Sequence, residues 1–258
     1  MVNCYRLLAR TTYRTPISER PFPSICVALV LSLGNTASAD PTAPQLTPYV
    51  AEYATTARGF DIQITRTLEG DSNDHFILSS KGNLLVAGFH EISVFRTEGE
   101  QVHSISYVYQ GTGLVNRRRE LHFDKPPGAI SSLYKDEWYE LPYASNTLDR
   151  MNQIEQVRLW LLNNASADEN LTIRVAGGKR VKDTQWVFKG EEVQQTPLGD
   201  VATVHFERLH DNSERRSEIW LAKDWDYLLV KMSHTEGDTP VVMLLNSVTF
   251  SQDTASDD

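Results

Sequence analysis

The chain has 258 residues, 25 of them Lys or Arg against 34 Asp or Glu, for a formal net charge of −9, and 40% are hydrophobic. An acidic surface repels nucleic-acid phosphates and argues against a nucleic-acid partner. Length and apolar content suffice for one sizeable core.

The first 39 residues read as a secretory signal peptide. Arg6, Arg10, Arg14 and Arg20 precede the apolar run Ile25 to Leu33, and Ala37-Ser38-Ala39 offers small residues for cleavage after Ala39. The run is far shorter than the roughly twenty residues of a membrane-spanning helix, so the sequence predicts export to the periplasm with no transmembrane segment. Cleavage removes both cysteines, Cys4 and Cys26, leaving no disulfide and no thiol nucleophile. It also takes four of the 25 basic residues and one of the 34 acidic ones, leaving 21 against 33.

Residues 40–47 carry two prolines and no periodicity and read as a linker. From Tyr49 the pattern becomes period-2 alternation, first Tyr49, Ala51 and Tyr53, then Phe60, Ile62 and Ile64 after an Arg58-Gly59 turn, then Phe76 and Leu78. Further strands are predicted at 92–96, 102–109 and 118–123. In Arg117-Arg118-Arg119 alternation keeps the three charges from sharing a face, and the expectation is a solvated strand with one inward arginine paired to a carboxylate.

Leu148, Met151, Ile154, Val157, Leu161 and Ala165 recur at helical spacing. They predict one helix near 148–163, capped by Asn146 or Thr147 and ended by Asn163-Asn164, with Trp160 packed beneath it. Strands resume at 171–175, 185–188 and 193, with a turn at Lys189-Gly190, then at 201–208, 218–221, 227–232 and 241–250. Thr196-Pro197-Leu198-Gly199 reads as a turn. Arg208, Glu214, Arg215 and Glu218 are expected to pair across the following hairpin. Residues 251–258 are polar and acidic and read as a disordered tail. The expectation is a single domain over 48–250, all-β and mainly antiparallel: a curved meander sheet or partly closed barrel or sandwich with one accessory helix.

Motifs that carry chemistry are missing. No phosphate loop, complete Gly-x-Gly-x-x-Gly, His-Glu-x-x-His or Gly-x-Ser-x-Gly occurs, and the seven histidines (75, 90, 103, 122, 205, 210, 234) lack metal-ligand spacing. No catalytic residue, cofactor or metal is expected. Glu137 and Glu140 flank Trp138 and Tyr139, the composition of a sugar cleft, but three positions apart they face opposite ways in a strand, and the expectation is a turn or rim segment with Trp138 packed.

The exported leader, Tyr49-x-x-x-Tyr53, Phe123-Asp124, Leu148-Asp149, Gly190-x-Glu192, Thr196-Pro197-Leu198-Gly199 and Trp220-Leu221-Ala222-x-Asp224 together resemble the bacterial family catalogued as domain of unknown function 3108. The resemblance covers residues 48–250. It implies an antiparallel β fold in the Gram-negative envelope and carries no catalytic residues with it.

A large curled sheet can enclose an apolar cavity. The leading expectation is therefore non-enzymatic binding of a lipid or other amphipathic envelope molecule, with Trp138, Trp160, Trp220, Met243 and Leu245 as candidate lining residues. A scaffold engaging an envelope protein through a strand edge and a glycan-acting hydrolase are the alternatives.

Overall fold

The structure, a computed structural model, describes residues 45–251 except 58, 72–73, 85–86, 114–115, 124–127, 165–168 and 238–239. The leader with its cleavage site, residues 40–44 and residues 252–258 lie outside the described residues.

The first eight strands each pair antiparallel with the next: β1 (Tyr49–Ala57), β2 (Phe60–Gly70), β3 (His75–Leu84), β4 (Ala87–Glu98), β5 (Gln101–Thr112), β6 (Arg117–Phe123), β7 (Ala129–Tyr134) and β8 (Glu137–Pro142). A two-residue strand, β9 (Thr147–Leu148), leads into the helix α1 (Asn152–Asn163). Six more strands follow: β10 (Leu171–Gly177), β11 (Arg180–Thr196), β12 (Gly199–Arg208), β13 (Arg215–Ala222), β14 (Leu228–Glu236) and β15 (Pro240–Phe250).

All fifteen belong to one sheet in the order β8-β7-β6-β5-β4-β3-β2-β1-β15-β14-β13-β12-β11-β10-β9. The first and last strands therefore meet in the middle of the sheet, where β1 pairs with β15 from Tyr49↔Phe250 to Thr55↔Met243. Every pairing is antiparallel except β9 with β10. The free edges, β8 and β9, are consecutive in the chain. Five Cα steps from Pro142 to Thr147 span at most roughly 19 Å, so these edges approach each other and the sheet curls almost into a barrel without closing.

One face of the curl is the core. Tyr49, Ala51 and Tyr53 are all buried on β1, Phe76 stacks on Phe95 with centroids 5.4 Å apart, and Phe206 packs edge-on against Phe188 and Trp160. Leu46, just ahead of β1, is also buried.

The helix differs from its predicted form in an instructive way. It begins at Asn152 rather than 148, because Leu148 is in β9 and the Asp149 carboxylate accepts hydrogen bonds from the backbone N–H of Met151 and Asn152 at 2.7 and 3.0 Å. Neither Asn146 nor Thr147 caps it. At its other end Asn164 is extended, and the amides of Asn163 and Asn164 donate to the carbonyls of Leu159 and Trp160. Its polar side is buried as deeply as its apolar side, including Asn152, Glu155, Gln156 and Arg158. The sheet encloses it, so polar side chains must bond to the wall. Gln156 accepts from Val102 N–H and donates to Glu100 C=O, both at 2.8 Å.

Two local expectations also change. Residues 137–140 lie at the sheet's rim, in edge strand β8 rather than in a turn, and Trp138 is exposed rather than packed. Residues 185–196 run as one long strand, where Gly190 at φ +131° makes a bulge between Phe188 and Gly190 instead of a turn. The Thr196–Gly199 hairpin forms as predicted, with Gly199 at φ +104° and the Thr196 hydroxyl accepting from Leu198 N–H at 3.0 Å.

Candidate functional site

The interior of the curl holds a chamber of about 340 Å³ beside the first turns of α1. Period-2 alternation brings Ile64 from β2, Phe89 from β4, Tyr109 from β5, Met232 from β14 and Met243 from β15 to its wall, and α1 with the residue before it adds Ile154 and Met151. The polar part of the lining is arginine-rich: Arg66, Arg117, Arg119 and Arg150, with Glu91 and Ser80.

A larger cleft of about 1020 Å³ adjoins it, and Arg119, Arg150, Ile154 and Met232 line both. Its charge is the reverse of the chain's. Arg119, Arg150, Lys179, Arg180, Lys182, Arg208 and Arg215 line it against the carboxylates of Glu218 and Glu236.

Not all of these cations are free. Arg150 lies 3.5 Å from Glu91, Lys182 lies 3.3 Å from Asp211, and Arg215 pairs with Glu236. Arg119 has its guanidinium over the rings of Tyr109 and Tyr134, at 5.8 and 5.5 Å, and Lys179 sits 4.5 Å over the Tyr139 ring.

Arg208 is the odd one. It has no carboxylate partner among the described residues, and its Nη2 donates to the Thr184 hydroxyl at 3.3 Å. Its Nε is buried without an acceptor. Burial, and then the Arg150 guanidinium, hold its pKa below the ordinary arginine value. Arg208 is thus not part of the predicted cross-hairpin pairing, because alternation turns it inward; Arg216, one strand over, takes Glu207 and Glu218 instead.

The run 117–119 also departs from expectation. Arg117 and Arg119 share the inner face with Leu121, so two arginines point inward, and the outward Arg118 takes the Glu120 carboxylate. Burial opposes ionisation of Glu120, but bonds from Arg118 and His122 outweigh it and lower its pKa.

Of the five residues picked from sequence, Met243 lines the chamber. Leu245, two positions on, is fully buried opposite Tyr53. Trp160 packs against Phe206 at 6.4 Å in the core. Trp138, on edge strand β8, is 56% exposed and lies 5.8 Å from His122. Trp220 faces away from the chamber, because its neighbours Ile219 and Leu221 take the inner face. There it stacks on His205 at 4.4 Å, carries Lys231 Nζ 4.2 Å over its ring, and donates to Glu192 at 2.6 Å.

His205 lies between Glu192 and Glu218, 3.0 Å from each. The carboxylates approach opposite ring nitrogens and do not converge on one point. Among the described residues no group of three His, Cys, Asp or Glu is arranged to hold a metal ion.

On the cleft wall, Ser217 Oγ lies 2.9 Å from His210 Nε2 and 2.8 Å from His234 Nδ1. Burial first, then Arg208, lower the pKa of His210.

The lining residues missed by sequence reasoning are the inward arginines. Their alternation with Leu121 and Phe206 is visible in the chain; their convergence depends on strand register, which is not.

A long antiparallel sheet curled around a buried helix and an inner chamber defines a β-barrel-like protein. The chain belongs to the family described as Protein of unknown function (DUF3108), whose family model matches residues 49–246. No curated protein matches the sequence. A solved structure, described as a beta-barrel-like protein of domain of unknown function DUF1849 from Brucella abortus, is similar with a TM-score of 0.53 at 9% identity, covering 81% of this chain and 99% of that one. At that identity the likeness is one of fold.

Proposed function

We propose that this protein is exported to the periplasm and acts by non-enzymatic binding, taking an amphipathic molecule such as a lipid into the chamber beside α1. The observation that carries this reading is the chamber's mixed lining, apolar at Met151, Ile154, Met232 and Met243 and cationic at Arg66, Arg117, Arg119 and Arg150, of which Arg119 and Arg150 also line the cleft. Its volume falls in the range of small-molecule sites. Three methionines give an adaptable surface for a flexible chain. The basic leader, apolar run and Ala37-Ser38-Ala39 support export.

A scaffold role through a strand edge finds support in β8, whose outer side is unpaired. Glu137, Glu140 and Pro142 on that strand are devices that discourage edge pairing, so binding in the chamber is preferred. Glycan hydrolysis is disfavoured by the cleft's carboxylates. Glu218 is held by Arg216 and His205, and the hydrogen bond from Arg215 lowers the pKa of Glu236, the opposite of what a general acid needs.

Native mass spectrometry of the protein purified from the envelope tests the reading. A co-purifying amphiphile removed by organic extraction is the expected result; a protein of apo mass that also takes up no apolar fluorescent probe would end it.

A further inference from the structure

The geometry points to a phosphate site in the cleft, formed by Arg208, Arg119 and Arg150, that receives the phosphate of a phosphate-bearing amphiphile whose apolar part occupies the chamber. The inference deepens the binding proposal and rests on it for the apolar part only.

A guanidinium in a largely acidic chain is normally matched by a carboxylate, because an unpaired buried charge is costly. Arg208 keeps its charge on the cleft wall with only a threonine hydroxyl at 3.3 Å and a buried Nε that has no acceptor. Trp186, its partner across the β11–β12 ladder, also lines the cleft and has its indole Nε1 buried without an acceptor. Two neighbouring donors on one wall lack acceptors, and a small turn of either side chain toward the cleft would let a bound oxyanion supply one. Arg150 is close enough to Arg208 to lower its pKa, and with Arg119 it stands where chamber and cleft meet. Three planar guanidinium forks lining one cleft supply donors suited to the several acceptor oxygens and near-double charge of a phosphate monoester.

The same phosphate could arrive free or on an alkyl chain, and titration calorimetry with octyl phosphate, octanol and inorganic phosphate separates these sources. The expected result is octyl phosphate binding at least tenfold more tightly than either octanol or inorganic phosphate. In Arg208→Gln its affinity should fall to that of octanol, while octanol binding stays at the wild-type level; Arg119→Gln serves as a second variant should the first fail to fold. If wild type binds octanol as well as octyl phosphate, the phosphate site is overturned while the chamber survives. If octyl phosphate and inorganic phosphate bind alike and octanol does not, the phosphate site stands and the chamber reading falls. If none of the three binds, or both variants bind octyl phosphate like wild type, the site is overturned.

Discussion

Arg66 on β2 and Glu155 on α1 meet in the core, Nη2 to Oε1 at 3.1 Å, with side chains 8% and 0% exposed. The other carboxylate oxygen accepts from Arg158 at 2.6 Å, and the Tyr49 hydroxyl donates to Glu155 at 3.2 Å while accepting from Arg66 at 3.0 Å. This cluster fixes the helix against the sheet beside the chamber, to whose lining Arg66 belongs. Burial, followed by the Glu155 charge, pushes the Tyr49 phenol up to about 12, and burial is outweighed by Arg158 and Arg66 in lowering the pKa of Glu155.

Glu155→Ala strands two buried guanidiniums. The expected cost is about 3–5 kcal/mol of unfolding free energy, measured by urea denaturation. A loss under about 1 kcal/mol would mean that the cluster does not hold the helix.

Trp220→Ala removes a side chain only 6% exposed, together with its His205 stack and its hydrogen bond to Glu192. We expect a destabilisation of about 3–5 kcal/mol with apolar-probe binding by the remaining folded protein unchanged, because the indole faces away from the chamber. An unchanged melting temperature would make it a surface contact instead.

Asp149 carries a pH signature. Burial raises its pKa from 3.8 to about 6, against the opposing bonds from Ser93, Asn152 and Met151. A buried acid of this kind binds its proton more tightly when folded, so its destabilising effect is absent below the unfolded pKa and grows as pH rises to about 6. Asp149→Asn should therefore gain on wild type across pH 4 to 6.5, by on the order of 2–3 kcal/mol, in parallel thermal melts. A difference independent of pH would contradict the burial argument.

The sheet is legible in the sequence because Tyr49-Ala51-Tyr53 or Val204-Phe206 alternate cleanly and Pro197 and Gly199 mark their turn. β7 and β8 are harder to see, since Ser131, Ser132 and Glu140 weaken the apolar alternation that marks a half-buried strand. The cleft is legible only in its parts. Net charge describes the outer surface, whereas Arg119, Arg150 and Arg208 come from β6, the segment before α1, and β12. Only the curl of the sheet brings them together, and the acidic composition conceals a basic interior.

Uptake of an amphiphile by the chamber, as proposed, is tested through Met243 on its wall. Fluorescence titration with an apolar probe should show saturable uptake by wild type at one equivalent. Met243→Trp fills the chamber from β15 and, with the fold retained by circular dichroism, should weaken that uptake at least tenfold. Equal uptake by wild type and the folded variant would contradict the account.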